Sequence, residues 1–263
     1  MEKSGRKITF SEIDGVYYRR PARPIIPKDM DSDTTDFIVR ESGEFLSGLW
    51  RYLDCRWVNH PDQIRLAESK IEQLSRMRKM GIEIPETMIT NDSQVARKFY
   101  EKNRGDIVAK TLRASQSRSE DKSWIIYTNH VSEESLELLD TVKLSPVIFQ
   151  SRVQKVSDIR VNVVGTKVFA TEIFSQEMEA TRVDWRRDTL SLKHEIHTLP
   201  ARIEDQCRNL VGSYGLVFGA LDLVRTKESD YVFLELNPNG QWAWIEALTG
   251  QPISNTLIDE LTS

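Results

Sequence analysis

The sequence lacks any apolar run long enough to cross a membrane. A spanning helix needs about 20 consecutive apolar residues, and the hydrophobic residues, 39% of the 263, are never gathered into such a run. The N-terminal stretch MEKSGRKITFSEIDG also lacks the apolar core of a secretory signal peptide. We therefore expect a cytoplasmic protein without a membrane partner.

Cysteine, histidine and excess positive charge are also scarce. The two cysteines, Cys55 and Cys207, lack metal-site spacing and are expected to be reduced structural thiols. Of the four histidines, His194 and His197 lie three apart with no third ligand nearby, which disfavours zinc. The net charge of -4 gives no basic surface for nucleic acid.

What the sequence does contain is an interleaving of helix and strand patterns. Helices are predicted at 31–53 and, most clearly, at 62–80, where apolar residues recur every three or four positions before Gly81. This order predicts an α/β or α+β fold with mixed sheets. Strands are predicted at 106–112, 124–128 and 146–153, in a hairpin of 158–165 with 167–175, and in a second hairpin of 216–226 with 230–238.

Two carboxylates and one amide fall on a single face of the second hairpin. If the loop 227–230 is symmetric, Asp222 lies directly opposite Glu235. Asn237 shares their face because side chains alternate along a strand. The opposite face, toward the core, is expected to carry Leu221, Leu223, Leu234 and Leu236.

Two carboxylates directly opposite each other repel, and burial increases the cost. Three arrangements would compensate: an Arg or Lys between them, protonation of one of them, or a bridging divalent cation. Carboxylate and amide oxygens are hard ligands that suit Mg²⁺, which usually completes its coordination with substrate phosphates. The alternative is a solvent-exposed polar face, which the apolar flanks of both strands disfavour.

Basic residues that could contact phosphate occur in three other segments. Lys110 ends a predicted strand, Asp158 and Arg160 share one face of another, and Arg186 lies in a predicted loop. Each has a structural alternative: a solvated strand end for Lys110, and an ion pair between Asp158 and Arg160. The apolar strand 146–153 offers backbone groups to an adenine edge. Together with the acidic pair, these features predict a nucleotide–magnesium site.

The order of these motifs resembles that of the ATP-grasp ligases, and its most specific element is the triad Asp222, Glu235 and Asn237. The match is closer to the microviridin-type, or graspetide, peptide maturases, through YYRRP, WVNHP, IPETMIT, VSDIRV, DWR and FLELNPNGQW. The resemblance implies an ATP-grasp fold that holds the nucleotide between two mixed or antiparallel sheets. It also implies a shortened N-terminal subdomain at 1–60, a central subdomain at 61–150 and a C-terminal subdomain with the metal site at 151–263.

The resemblance further implies a reaction. In these maturases ATP phosphorylates an Asp or Glu side chain of a precursor peptide, and a Ser, Thr or Lys side chain of that peptide attacks the acyl phosphate. The product is an ester or amide macrocycle. The enzyme would bind ATP and two Mg²⁺ ions and align the acceptor. Its substrate partner would be the precursor peptide, and two copies of the enzyme would form a homodimer.

The same resemblance implies roles for individual residues. Asp222, Glu235 and Asn237 would be the Mg²⁺ ligands, Lys70 and Lys110 would contact the nucleotide phosphates, and the hinge against the adenine would consist of Gln150, Ser151 and Val153. Asp158 would lie near the ribose or in the adjacent wall of the active site, and Arg160 and Arg186 would stabilise the transferred phosphoryl group or the acyl phosphate.

Two features depart from the family pattern. Relatives carry a longer subdomain before the YRRP strand, so the first lobe is expected to be cut down here, which bears on peptide binding and on activity. The loop 112–124 contains no glycine. Ser and Arg side chains, in place of bare backbone, are therefore expected over the phosphates.

Two other functions remain open. One is an ATP-grasp ligase that acts on a free amino acid or another protein, as glutathione synthetases and glutamate-adding ligases do; the NPNGQW segment favours the peptide maturase instead. The other is an inert nucleotide-binding module, and the complete metal triad with Arg160 and Arg186 argues against it.

Overall fold

The computed structural model of the chain describes residues 7–21, 25–27, 29–113, 116–118 and 123–263. No helix in these ranges is long and apolar enough to cross a membrane. Cys55 and Cys207 are both free thiols, and Cys207 is buried in the core. The prediction that both cysteines are unpaired is confirmed, and the burial of Cys207 fits a structural thiol.

The N-terminal segment contributes two short parallel strands and one long helix. β1 (Gly15–Tyr17) pairs with β2 (Arg56–Val58), and α1 (Ser32–Tyr52) lies between them in the chain. Asp31 begins α1, because its carboxylate accepts a hydrogen bond from the Thr34 amide. The predicted first helix is confirmed to within one residue at either end.

The helix predicted over 62–80 is two helices in the structure. α2 (Pro61–Ala67) ends, and α3 (Lys70–Lys79) begins after Ser69, whose hydroxyl accepts the Glu72 amide N–H. The apolar period continues across the break, but Ser followed by Glu three residues later starts a new helix. The predicted continuity was therefore wrong, and the break sets Lys70 at the first turn of α3.

The middle of the chain forms a four-stranded antiparallel sheet. One face of it is covered by α4 (Ser93–Lys102) and by a 3-10 helix (Glu134–Leu144), whose contacts bury Phe99, Leu139 and Phe149. Its strands are β3 (Thr87–Thr90), β4 (Ile107–Lys110), β7 (Asn129–His130) and β8 (Val147–Ser151), in the spatial order β3-β8-β4-β7.

Between β4 and β7, β5 (Gln116–Arg118) and β6 (Ser123–Ile125) form a separate antiparallel hairpin. The glycine-free loop predicted over the phosphates falls in this region, partly outside the described residues. The strand predicted at 124–128 was wrong beyond Ile125. The Thr128 amide donates instead to the Asp184 carboxylate at 3.0 Å, so it joins no strand ladder.

A five-stranded antiparallel sheet forms the C-terminal part of the chain. Both predicted hairpins of this sheet are confirmed. The short edge strand was missed, because none of its four residues is buried and they show no apolar pattern. The strands are β9 (Ser157–Val164), β10 (Lys167–Ile173), β11 (His194–His197), β12 (Phe218–Arg225) and β13 (Tyr231–Asn237), in the spatial order β11-β10-β9-β12-β13.

Helices cover both faces of the five-stranded sheet. α5 (Ala201–Gly212) packs with α2 and α3 on one face, over a core that includes Met77 and Leu221. α6 (Ala243–Thr249) and α7 (Ile253–Thr262) pack on the other face. Every residue of β9 is buried as a result, so its polar side chains need partners inside the protein.

The hairpin of β12 and β13 contains a β-bulge at the predicted metal site. Asp222 pairs with Glu235, and the next pair is Leu223 with Phe233, so Leu234 is an extra residue on β13. The predicted pairing of Asp222 with Glu235 is confirmed. The assumed symmetric turn was wrong, since the register is shifted by one residue between the turn and the bulge.

The bulge changes the direction of one side chain. Leu234 lies on the same side as Glu235 and lines the cleft between the two large sheets, whereas Phe233 and Leu236 face the core. The prediction that Leu234 points into the core was therefore wrong. The extra residue lets two consecutive side chains face the cleft.

Candidate active site

A cleft lies between the four-stranded and five-stranded sheets and holds about 770 Å³ of empty space, part of which is open solvent. Residues of β4, β8, β9, β12 and β13 line it, and the loop 182–186 closes one side. Most of the predicted site residues are in its lining, namely Lys110, Gln150, Ser151, Val153, Asp158, Arg186, Asp222 and Glu235.

The three remaining predicted residues lie beside the cleft. Lys70 Nζ is 3.3 Å from a Glu235 carboxylate oxygen. Arg160 Nη1 donates to Asp222 Oδ1 at 2.8 Å. Asn237 follows Glu235 by two residues on the same face of β13. The structure thus brings every residue predicted for the site to one place.

Both walls of the cleft carry apolar side chains, namely Val108 on β4 of the one sheet and Val224 and Leu234 on β12 and β13 of the other. Gln150 on β8 lies in the same lining and is only 3% exposed. Its Nε2 donates to Thr87 Oγ1 at 2.9 Å, while its Oε1 has no partner among the described residues. A buried acceptor without a donor costs about 1–3 kcal/mol. The exocyclic amino group of an adenine would satisfy it.

Arg160, Asp222 and Glu235 are direct neighbours across β9, β12 and β13. The side chains of Arg160 and Asp222 are only 6% and 10% exposed. Burial raises the pKa of Asp222 and Arg160 opposes that shift, while the charge of Glu235 adds to it. Of the three arrangements considered for the facing carboxylates, the structure has cations beside both of them.

Glu235 is surrounded by cations. Besides Lys70, the Arg186 guanidinium approaches it, with Nη1 at 3.5 Å from Oε1. Burial alone would raise the pKa of Glu235, but Lys70, Arg186 and Lys110 together lower it to about 2. Burial lowers the pKa of Lys110 to about 8, although the charge of Glu235 counteracts it. The three cations and the carboxylate form a site where further negative charge would be stabilised.

Asp158 does not pair with Arg160, although both face the same side of β9. Lys155 Nζ donates to the two Asp158 carboxylate oxygens at 2.8 and 2.6 Å, and Ser175 Oγ donates to one of them at 2.5 Å. The ion pair considered for Asp158 and Arg160 was therefore wrong, because the Asp222 carboxylate lies directly opposite Arg160 and binds it.

The family comparisons agree with this geometry. Residues 67–261 match the family described as RimK-like ATP-grasp domain, and residues 1–65 match the MvdD pre-ATP grasp domain. The chain belongs to the RimK-like ATP-grasp family. The resemblance read from the motifs is confirmed, and with it the ATP-grasp fold and the class of ATP-dependent ligases.

Solved structures of RiPP-associated ligases are similar to this ATP-grasp ligase. The RiPP-associated ATP-grasp ligase of Chryseobacterium gregarium, in complex with ADP and a leader and core peptide, is 32% identical with a TM-score of 0.90; the match covers 99% of this chain and 80% of that one. Macrocyclase MdnC of Microcystis aeruginosa, bound with precursor peptide MdnA, is 27% identical (TM-score 0.88; 99% and 82% covered). Macrocyclase MdnB of the same organism is 31% identical (TM-score 0.81; 98% and 80%). No curated protein sequence matches the chain.

In this ATP-grasp ligase a buried carboxylate orients Arg186. Asp184 is 4% exposed and accepts hydrogen bonds from Arg186 Nε at 2.8 Å and Nη2 at 2.6 Å. Burial would raise the pKa of Asp184, but the Arg186 hydrogen bonds lower it. Because Asp184 also accepts the Thr128 amide, it ties the loop 182–186 to the four-stranded sheet. Sequence reasoning missed Asp184, although the DWR motif contains it.

A side chain, and not another strand, binds the outer edge of β13 in the ligase. The Gln73 amide is 2% exposed; its Oε1 accepts the Leu236 amide N–H at 2.9 Å. Its Nε2 donates to Leu236 O at 2.7 Å and to Ala67 O at 2.6 Å. Gln73 thus fixes the backbone between Glu235 and Asn237. No local pattern in the sequence signalled this role.

Residues from the N-terminal part of the ligase hold the loop after β13. Asn59 is buried, and its Nδ2 donates to Phe218 O at 2.7 Å and to Pro238 O at 3.0 Å. Arg19 Nη1 donates to Gly240 O at 3.0 Å. The WVNHP and YYRRP motifs therefore position the NPNGQW motif.

Glycine is required at position 240 by close packing. A Cβ there would lie 2.4 Å from the Ala220 Cβ and 2.9 Å from Arg160 Nη2. The loop therefore lies directly on Arg160, whose Nη2 donates to Gln241 O at 3.2 Å.

Proposed function

We propose that this ATP-grasp ligase uses ATP to activate a side-chain carboxylate of a ribosomally made precursor peptide as an acyl phosphate. A hydroxyl or amino side chain of the same peptide would then attack, giving an ester or amide cross-link. The observation that carries this proposal is the cation-rich cleft beside Asp222 and Glu235. The similarity to ligases solved with peptides supports the choice of substrate.

The nucleotide would lie between the two sheets. Gln150, Ser151 and Val153 would form the hinge against the adenine, and the unpaired Gln150 Oε1 offers an acceptor for its amino group. Lys70 and Lys110 would bind the phosphates. Both ammonium groups are attracted to the Glu235 carboxylate, and phosphate oxygens would replace part of this attraction when the nucleotide binds.

Asp222, Glu235 and Asn237 would hold Mg²⁺, for which two ions are proposed. Their chemistry fits, because all three supply hard oxygen donors from one face of the β12–β13 hairpin. The lowered pKa of Glu235 keeps that ligand ionised. Bound Mg²⁺ would supply neutralisation of phosphate charge.

The remaining work would be done by the chain's own side chains. Arg160 and Arg186 would stabilise negative charge on the transferred phosphoryl group. Asp184 would hold Arg186 in its direction, and Asp158 with Lys155 would form the wall beside the ribose. Because the protein itself needs to do little covalent chemistry, its contribution to catalysis would be to align the reactants and to neutralise charge.

Mass spectrometry of a precursor peptide tests the proposal. The ligase is incubated with ATP, Mg²⁺ and a candidate peptide encoded beside its gene, and each cross-link should remove the mass of one water. Glu235→Gln should abolish the change, whereas Glu195→Gln, on the exposed strand β11, should leave it intact. An unchanged peptide mass while the protein still binds ATP would contradict the ligase function and favour a binding module. Addition of a free amino acid would favour the amino-acid ligase.

We also propose that the ligase is a homodimer. No side chain of α1 is buried, and Phe45 and Tyr52 are 70% and 71% exposed, so apolar surface is available for a second copy. Light scattering on the protein as it elutes from a size-exclusion column should give twice the mass of one chain. A monomer mass at every concentration would contradict it.

A further inference from the structure

A buried asparagine beneath the site has an amide with no partner. Asn162 on β9 is 0% exposed, and neither its Oδ1 nor its Nδ2 has a hydrogen-bond partner among the described residues. The same holds for Nε of Arg160, two positions earlier on the strand. Nearly all buried polar groups in proteins are hydrogen-bonded. Three unpaired atoms on two neighbouring side chains therefore point to a function.

The position of Asn162 places it next to Arg160 and away from solvent. Both side chains face the same side of β9 because their spacing is two. Asn162 pairs with Ala220 on β12, and the loop at Gly240 packs against both Ala220 and Arg160. The donor Arg160 Nε and the acceptor Asn162 Oδ1 are thus enclosed under one loop.

The surroundings would accept an apolar side chain. On this face of the sheet, Val164, Phe218 and Ile245 are almost completely buried and form one hydrophobic cluster. An amide here opposes folding, since burial of an unsatisfied polar group is unfavourable. Residues that oppose stability without a local compensation are typical of functional sites.

The Arg160 guanidinium lies 5.9 Å from the centroid of the Trp185 ring and makes two hydrogen bonds, one of them to a proposed metal ligand. Its Nη1 donates to Asp222 and its Nη2 to Gln241 O. An Asp222 carboxylate that binds Mg²⁺ has less capacity to accept from Arg160. The guanidinium then needs another acceptor to keep its direction, and a neutral amide supplies one without cancelling the positive charge.

We propose that Asn162 is a positioning residue for Arg160. When Asp222 binds metal, the Asn162 amide oxygen would accept the Arg160 Nε–H, directly or through one water, and would keep the guanidinium directed at the transferred phosphoryl group. This inference rests on the proposed function, but its structural part concerns only this chain with Mg²⁺ and ADP.

Asn162→Leu removes the amide at nearly constant size, and Asn162→Thr retains a hydroxyl acceptor. We expect Asn162→Leu to melt at the same or a higher temperature than the unchanged ligase. The ¹⁵N-detected Nε–H of Arg160, assigned by its absence in Arg160→Lys, should exchange about tenfold faster in Asn162→Leu with Mg²⁺ and ADP. Asn162→Thr should restore most of the protection.

Turnover of the peptide gives an independent readout. Asn162→Leu should lower kcat about tenfold, the effect of one lost hydrogen bond, with little change in KM for ATP. Val163→Ala, on the opposite face of β9 and part of the other core, is the matched control and should lower the melting temperature without lowering kcat.

Two results would overturn the inference. One is an Arg160 Nε–H whose exchange is the same in Asn162→Leu as in the unchanged ligase. The other is a large drop in melting temperature for Asn162→Leu, which would make Asn162 structural. If no peptide is ever cross-linked, the proposed function fails, while exchange and melting still decide the role of Asn162.

Discussion

The Gln73 side chain offers a direct test of how the metal-site strand is held. Gln73→Met keeps the volume of the side chain and removes its amide. Three backbone groups would lose their partner: Leu236 N–H, Leu236 C=O and Ala67 C=O, now at 2.9, 2.7 and 2.6 Å. At about 1–2 kcal/mol each, the free energy of unfolding should fall by about 3–6 kcal/mol.

Such a loss is a large part of the 5–15 kcal/mol typical of a folded domain, and chemical denaturation measures it directly. Since Leu236 lies between Glu235 and Asn237, the affinity for Mg²⁺–ADP should also fall more than the affinity for ADP alone. Calorimetric titration with and without Mg²⁺ separates the two.

The matched control is Gln206→Met. Gln206 makes one long, exposed hydrogen bond, to Gly81 O at 3.4 Å, so this variant should change the free energy of unfolding by less than about 0.5 kcal/mol. If Gln73→Met costs no more than Gln206→Met and leaves Mg²⁺–ADP binding unchanged, the Gln73 amide does not hold β13.

Three further predictions concern the loop, a lysine and the bulge. Asn59→Asp replaces the Nδ2 donor by a carboxylate oxygen that faces the carbonyls of Phe218 and Pro238, and it should lower the free energy of unfolding, measured by denaturation, by about 2–4 kcal/mol. Phosphates favour charged Lys110, whose pKa is about 8. Binding of ADP, followed by calorimetry in buffers of different ionisation enthalpy, should therefore take up about half a proton at pH 8 and much less at pH 7. Leu234→Trp should weaken ADP binding about tenfold with less than about 1 kcal/mol lost in the free energy of unfolding.

Each of these has a control and a contradicting outcome. Asn255→Asp, at an exposed position of α7, should leave the free energy of unfolding unchanged. If it lowers this free energy as much as Asn59→Asp does, the hydrogen bonds of Asn59 have no special role. Proton uptake that persists in Lys110→Arg would assign it to another group. Leu236→Trp, in the core, should lose about 1–3 kcal/mol by overpacking; an equal loss in Leu234→Trp would place Leu234 in the core.

Local sequence patterns predicted most of the helices and strands. They failed where a residue's hydrogen-bond partners lie far away in the sequence. The pairing of Asp222 with Glu235 was predictable from strand alternation. It was reached, however, with a turn register that is off by one residue and is corrected by the bulge at Leu234. A bulge does not change the amino-acid composition of an apolar strand, so its position could not be predicted from the sequence.

The break between α2 and α3, in contrast, could have been predicted, since Ser69 and Glu72 form an N-cap pattern. The continuous apolar period across the break obscured this pattern. Gln73 and Asn59 could not be assigned from sequence, because their partners on β12 and β13 lie more than 150 residues away. Buried amides of this kind look like ordinary polar positions until the tertiary contacts are known.

The bulge in β13 also bears on how chains of this type are to be aligned. Because Leu234 is unpaired, a chain without it would still place the counterpart of Asp222 opposite the counterpart of Glu235. Such a chain would lose an apolar side chain from the cleft wall and keep its pair of carboxylates. A one-residue gap at this position is therefore a difference in the apolar lining of the cleft and not an alignment error. The counterparts of Asp222 and Glu235 should be matched to each other whether or not the gap is present.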